Sequence, residues 1–289
     1  MTNQDNHVIT RGFAYLFLGV VCLLQLLPFW LAICTASKPA TDLSSSLVPR
    51  TKYIECINFT LAITEGGVLR AMVNSAIITV CATVLTCVIG AMAAYPLARR
   101  LSKFNKAVST VILSLMMIPP LSVLVPVYSM MVKIGGVNTY WGIILLSTAG
   151  NLPLAIFLYT SFIKAIPESI DEAGMIDGAN RATIFFRLIM PLLKPVTATV
   201  IIMTSVGVWN EYAMSNYLLT DQAYQPIAPR IASFFAQQSS NMGVGAAAAL
   251  ISALPIVVVY LLVERYVIFG IGSGWQKSGT GNAGQGTYR

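Results

Sequence analysis

The fold is decided by residues 71–98, which read AMVNSAIITVCATVLTCVIGAMAAYPLA. This stretch contains no Asp, Glu, Lys or Arg. An α-helix needs about 20 apolar residues to cross a hydrocarbon core of about 30 Å. Strands of a membrane barrel alternate in polarity over about ten residues, and this stretch does not alternate. The sequence therefore predicts a transmembrane helix here.

Five further apolar runs flank this helix in the sequence. Four carry no charge, at 12–37, 107–132, 134–163 and 231–263, and a fifth, 195–220, is interrupted only by Glu211. Of the 289 residues, 56% are hydrophobic and 10% charged, against about 25% charged in soluble domains. We therefore expect an all-α membrane protein, a single domain over 1–289 with six transmembrane helices. The expected spans are 12–36, 71–97, 107–132, 138–163, 195–219 and 243–268.

The basic residues indicate the orientation of these spans. With the amino terminus inside, the cytoplasmic segments hold twelve Lys and Arg residues and the outer segments hold six. Because cytoplasmic loops carry an excess of Lys and Arg, both termini are expected in the cytoplasm. The net charge of +7 then reflects topology, and no nucleic-acid partner is expected. Four of the five cysteines lie in apolar runs, where they act as small hydrophobic residues and predict no disulfide framework.

Two of the expected spans carry features of their own. The span at 71–97 contains small and weakly polar residues, including Asn74, Ser75 and Gly90, which allow close helix packing in lipid. The span at 107–132 contains Pro119, Pro120 and Pro126, which remove backbone donors and predict a bent helix that lines the bundle.

The segment between the fourth and fifth spans is polar. Residues 164–194 hold eight of the 29 formal charges. Pro167 suits a first helical turn, and acidic residues follow where a helix has its positive end. Ile170, Ala173 and Gly174 are spaced as an apolar face. Gly178 predicts the end of this helix and Asn180 the cap of a second one, so a helical hairpin over 164–191 is expected, suited to docking on another protein.

A specific resemblance is carried by this hairpin. Glu172, Ala173 and Gly174, then Gly178, then Leu188, Met190 and Pro191 resemble the signature of the permeases of ABC importers, Glu-Ala-Ala, three residues, Gly, nine residues, Ile, one residue, Leu-Pro. Gly, Leu and Met replace Ala, Ile and Leu of the signature. The neighbouring residues resemble the carbohydrate branch, and most of the chain is similar to the second permease of maltose-type importers.

The resemblance implies a role and a set of partners. The hairpin would be the coupling helix that sits in a groove of a cytoplasmic ATPase. The coupling residues would be Glu172, Ala173, Gly174, Asp177, Gly178 and Pro191. The implied partners are a second homologous permease, two ATPase subunits that bind ATP and Mg, an extracytoplasmic solute-binding protein and membrane lipid. The implied location is the cytoplasmic (inner) membrane of a bacterium or archaeon, and the implied solute is a sugar or sugar-like molecule.

The acid in the fifth span admits two interpretations. A charge at the bilayer centre costs at least about 2.5–3.5 kcal/mol on insertion scales, so Glu211 should face the bundle interior or lie near a span end. Its neighbourhood could line a polar sugar path, or could be a structural break in the helix. The candidate path residues are Trp209, Asn210, Glu211, Tyr212 and Asn216.

Two other classes of protein compete with an importer permease. An ion-coupled secondary transporter would use intramembrane ionisable groups, of which Glu211 is the one candidate. A membrane enzyme would need several acids or His residues at one membrane face, and the chain's single His is His7. The tail at 272–278 lacks the glycines of a phosphate-binding loop, since Ile271 and Gln276 occupy those positions. The chain is therefore expected to be no enzyme and to bind no cofactor itself.

Overall fold

The structure is a computed structural model that describes residues 3–39, 47, 57–100, 102–236 and 242–279, with side chains from 11 to 262 within those ranges. All regular secondary structure of these residues is helical. The α-helices are α1 (Asn3–Ala36), α2 (Ile57–Thr64), α3 (Val68–Arg99), α4 (Lys103–Leu115), α5 (Leu124–Lys133), α6 (Tyr140–Ala165), α7 (Ser169–Ile176), α8 (Arg181–Thr183), α9 (Met190–Leu192), α10 (Lys194–Trp209), α11 (Ala213–Leu218), α12 (Ile227–Ala236) and α13 (Met242–Gly279). A 3₁₀-helix covers Pro120–Val123 and a π-helix covers Ile184–Ile189.

Four helical segments are long and apolar enough to cross a membrane: Arg11–Ala36, Val68–Arg99, Tyr140–Ala165 and Met242–Leu262. Two bent helix pairs raise the number to six if each pair is one span. The all-helical membrane fold expected from the sequence is therefore present, with four to six candidate spans.

The first bent pair occupies the third expected span. Lys103–Leu115 and Pro120–Lys133 meet at an angle of 97°. Pro119 and Pro120 lie at the break, where each removes a backbone donor, whereas Pro126 lies in the first turn of α5, where no donor is needed. The predicted bend is present. Within this chain no α4 residue is fully buried and Met131 is buried on α5, while Ile112 of α4 and Tyr128 of α5 pack against the core, so the expectation that this segment lines the bundle stays a prediction.

The first helix of the second bent pair precedes the fifth expected span, and the second helix of the pair forms the first part of that span. Arg181–Leu192 and Lys194–Trp209 meet at 75°, and Pro191 and Pro195 flank the bend. The helix α10 ends at Trp209, ten residues before the expected end at 219, and the short helix α11 follows after a break at 210–212. Apolarity alone did not reveal this break, because the residues on both sides of it are hydrophobic.

The chain divides into two compact units, one of residues 1–69 and 230–254 and the other of residues 70–229 and 255–289. In the second unit, α3 and α6 pack closely at Gly90, where an added Cβ would lie 3.1 Å from the Cβ of Ala155. This agrees with the small-residue packing expected there. The adjoining core includes Tyr159, Ile163 and Ile189, all at most 1% exposed.

In the other unit, a buried side-chain amide links α2 to the end of α1. The side chain of Asn58 donates hydrogen bonds to the carbonyls of Ala36 and Lys38, at 2.9 and 2.7 Å. Nearby, the Nε of Arg230 donates to the carbonyl of Gly66 at 2.6 Å. Asn58 heads a three-residue match to a glycosylation sequon, and its burial and hydrogen bonds give the amide a structural role.

Candidate functional site

The hairpin begins with α7, whose start and end follow from its sequence. Asp171 and Glu172 lie in the first turn, where the helix dipole favours negative charge. The helix ends at Ile176 with Asp177 as its C-cap, and Gly178 has φ +79°, a conformation that glycine adopts at low cost. The N–H of Gly178 donates to the carbonyl of Met175 at 3.0 Å, which closes the turn.

The second arm of the hairpin begins where the sequence indicates. The side chain of Asn180 accepts a hydrogen bond from the N–H of Thr183 at 2.8 Å and so caps α8. The π-helix that follows buries Ile184 and Phe185. A helix–turn–helix is therefore present between α6 and α10.

The buried face of α7 differs from the expected one. Gly174 is buried, as predicted, but Ala173 is exposed and Asp171 is 8% exposed. An added Cβ at Gly174 would lie 2.9 Å from the Cδ1 of Leu188 and 3.0 Å from the Cγ1 of Ile184. Gly174 therefore permits close contact between the two arms of the hairpin.

A buried ion pair ties α7 to α3. The Nη2 of Arg99 lies 2.9 Å from the Oδ2 of Asp171, and both side chains are 11% exposed. The hydroxyl of Tyr95, one turn before Arg99 on α3, donates to the Oδ1 of Asp171. Both carboxylate oxygens of Asp171 are thus engaged by residues at the carboxyl end of α3.

Arg99 also reaches the carboxyl end of α6. Its Nη1 donates to the carbonyls of Ile163 and Ile166, at 3.1 and 2.9 Å. These carbonyls lie at the carboxyl end of a helix, where a positive charge is favourable. One guanidinium therefore joins three elements: α3, α6 and α7.

A cavity of about 420 Å³ opens beside this ion pair. Its walls combine apolar side chains with acids and guanidinium groups from α3, α7 and the second arm of the hairpin. They include Tyr95, Arg99, Glu168, Glu172, Met175 and Phe185. The exposed part of α7 thus presents carboxylates beside an apolar surface.

The residues predicted for coupling lie together on this hairpin. Glu172, Ala173, Asp177 and Gly178 are exposed on one arm and its turn, and Pro191 is exposed at the bend before α10. Sequence reasoning did not identify the contacts of Arg99 and Tyr95 with Asp171, which lie beneath the exposed face of the hairpin. The spacing of Tyr95 and Arg99 by four residues at a span end was a usable signal, since such residues share one helix face.

The predicted path residues lie around the break between α10 and α11. Trp209 is buried, whereas Asn210 and Tyr212 are exposed and Asn216 is half-buried. Glu211 accepts hydrogen bonds from the N–H of Met214 at 2.7 Å and from the N–H of Ser215 at 2.8 Å. These contacts support the structural interpretation of Glu211.

Most of the chain matches a known protein family. Residues 86–267 match the family described as "Binding-protein-dependent transport system inner membrane component". The chain belongs to this family. The match covers the hairpin, the ion pair and the break after α10.

Curated relatives extend the similarity to nearly the whole chain. The chain is 40% identical to the Melibiose/raffinose/stachyose import permease protein MelC of Bacillus subtilis, over 91% of this chain and 95% of that protein. It is 29% identical to the Multiple sugar-binding transport system permease protein MsmG of Streptococcus mutans, over 91% and 96%. It is 27% identical to the Trehalose/maltose transport system permease protein MalG of Thermococcus litoralis, over 91% and 94%.

A solved structure has the same fold. It is a crystal structure of a bacterial ABC transporter involved in the import of the acidic polysaccharide alginate, with a TM-score of 0.76 and 20% identity, and the match covers 92% of this chain and 98% of that one. The family match and the curated relatives confirm the resemblance of the sequence to the permeases of ABC importers.

Family membership decides several expectations. The protein is a multi-pass inner-membrane permease component of an ABC importer, not an enzyme, because separate ATPase subunits hydrolyse ATP in such systems. Such a permease works with a permease partner, an ATPase and a solute-binding protein. The ion-coupled alternative gains no support, since its one candidate residue, Glu211, caps a helix.

Proposed function

We propose that this permease forms half of the translocation pathway of an importer for an oligosaccharide. The observation that carries the proposal is the 40% identity, over 91% of the chain, to a permease named for melibiose, raffinose and stachyose. Other relatives are also named for sugars. Melibiose and raffinose are accordingly the first solutes to test.

The proposed topology has six spans with both termini in the cytoplasm. It counts each bent pair as one span, because each pair passes the length and hydropathy test together. The distribution of Lys and Arg, twelve inside against six outside, supports this orientation. The hairpin at 164–191 then lies on the cytoplasmic side.

The proposed role of the hairpin is to dock on a cytoplasmic ATPase. The docking residues are Glu172, Ala173, Gly174, Asp177, Gly178 and Pro191, of which Gly174 contributes from inside the hairpin. Support comes from exposed Glu172 of α7 and exposed Asp177 just after it, which lie near Met175 and Ile176, 50% and 85% exposed. An exposed apolar patch with charged edges is typical of a protein interface.

The proposed assembly contains three further kinds of subunit. A second, homologous permease completes the pathway, two ATPase subunits bind ATP and Mg, and an extracytoplasmic binding protein delivers the solute. This chain binds no cofactor of its own.

The proposed sugar path includes polar side chains at the break after α10. Asn210, Tyr212 and Asn216 retain exposed surface, and amides and aromatic rings suit sugar hydroxyls and sugar faces. Trp209 and Glu211 stabilise the structure around these residues. Trp209 is buried, and Glu211 caps α11.

The proposal is tested by purifying the tagged chain from its native membrane in mild detergent. We expect an ATPase and a second permease to co-purify with the native chain. Glu172→Arg should lose the ATPase, whereas Glu65→Arg, the same charge reversal at an exposed acid outside the hairpin, should retain it. Recovery of the native chain without any ATPase would contradict the proposal.

A further inference from the structure

The ion pair between Arg99 and Asp171 lies beneath the proposed docking surface, not on it. Each side chain is 11% exposed, so neither is available to an ATPase in the way that Glu172 is. A charge this buried is expensive to remove from water unless it is paired. The ion pair therefore acts through contacts within this chain.

The contacts of Arg99 indicate how the ion pair acts. The guanidinium contacts Asp171 of α7 and the last carbonyls of α6, while its own backbone ends α3. Tyr95 adds a second link from α3 to the other oxygen of Asp171. The link from α7 to α6 passes through one guanidinium, whose Nη1 donates to the α6 carbonyls and whose Nη2 makes an electrostatic contact with Asp171.

The backbone between α6 and α7 would not give such a link by itself. Only residues 166–168 connect Ala165 to Ser169, and the backbone hydrogen bonds there are local ones, such as Ile166 N–H to Ile163 carbonyl at 3.1 Å. On the other side of α7, the turn at Gly178 has a backbone that glycine makes permissive. Side-chain contacts therefore have to hold the orientation of α7 against the spans.

We propose that Arg99 and Asp171, assisted by Tyr95, are positioning residues that make α7 move as one body with the inner ends of α3 and α6. A displacement of α7 by a docked ATPase would then be passed to two spans at once. This inference rests on the proposed function, because it assumes that α7 docks on an ATPase. The inference adds a route, through Arg99 and Asp171, by which movement of α7 reaches the spans α3 and α6.

The test uses the complete importer in proteoliposomes and measures sugar imported per ATP hydrolysed. The variants are Arg99→Gln, Asp171→Asn and the double variant, with Arg100→Gln as the matched control, because Arg100 is the next residue and is exposed. The double variant leaves no unpaired buried charge, so it is the variant expected to assemble even if a single one does not.

We expect the double variant to retain the ATPase and its basal hydrolysis, while sugar imported per ATP falls at least about fivefold, the lower end of ordinary coupling between sites. Arg100→Gln should keep the native ratio. A native ratio in the double variant would overturn the inference. If the native complex contains no ATPase or imports nothing with ATP, it is the proposed function that fails.

Discussion

The carboxylate of Glu211 accepts hydrogen bonds from both the backbone N–H and the hydroxyl of Ser215, at 2.8 and 2.6 Å. Its other oxygen accepts from the N–H of Met214 at 2.7 Å. These are the donors that the first turn of α11 would otherwise leave without partners. The acid inside an apolar stretch is therefore explained by a helix that begins there.

Replacing Glu211 should alter stability more than transport. We expect Glu211→Ala to lower the stability of the complex by about 1–2 kcal/mol, the usual cost of removing a helix cap, with Glu211→Gln less affected because one acceptor oxygen remains. Thermal melting in detergent measures this. Loss of uptake at native melting temperature would instead give Glu211 a direct role in transport.

Gly178 should tolerate only residues that accept a positive φ. A non-glycine residue in the left-handed region costs about 1–2 kcal/mol, and a β-branched residue is a worse outlier there. We expect Gly178→Asn to retain the ATPase on purification and Gly178→Val to lose it. There is open space around the Cβ position, so an equal loss in both variants would show that side-chain bulk at the interface, not φ, decides the effect.

Gly174 should accept alanine and reject leucine. Alanine favours a helix over glycine by about 1 kcal/mol, and the atom it would approach most closely is the terminal Cδ1 of Leu188, which can shift, with the Cγ1 of Ile184 next at 3.0 Å. A leucine would overpack this contact at a cost of about 1–3 kcal/mol. Comparing the melting temperatures of Gly174→Ala and Gly174→Leu checks this, and equal tolerance of both would contradict the close contact.

Asn74 should hold the segment at 219–226 against α3. Its amide donates to the carbonyls of Ala223 and Gln225, both at 3.0 Å, and accepts from the hydroxyl of Tyr140 at 2.8 Å. Leaving a buried polar group without its partner costs about 1–3 kcal/mol. We expect Asn74→Ala to speed limited proteolysis within 219–226.

Tyr140→Phe is the control for that experiment. It removes one of the three hydrogen bonds of Asn74, so the increase in cleavage should be smaller than for Asn74→Ala. Cleavage in Asn74→Ala at the native rate would show that the segment is held by other contacts, such as the bond from the Ile227 N–H to the Ser75 hydroxyl at 2.8 Å.

The sequence was sufficient to predict the helical class and the hairpin. The length of the apolar runs, the helix end at Gly178 and the helix cap at Asn180 are local properties. The sequence left the break after Trp209 as one of two interpretations of Glu211, and only the structure shows the cause, a side chain that caps the next helix. It also missed the pairing of Arg99 with Asp171, since 72 positions separate the two residues and only the packing of α3 against α7 brings them together.

The most direct test of the account is sugar uptake by the complete importer in proteoliposomes, with ATP and Mg supplied on the ATPase side and all ion gradients collapsed. We predict that uptake of a melibiose- or raffinose-type sugar requires hydrolysable ATP in the native complex and is lost in Glu172→Arg but not in Glu65→Arg. In a second assay, without ATP and with an imposed ion gradient, uptake that follows the gradient would contradict the account.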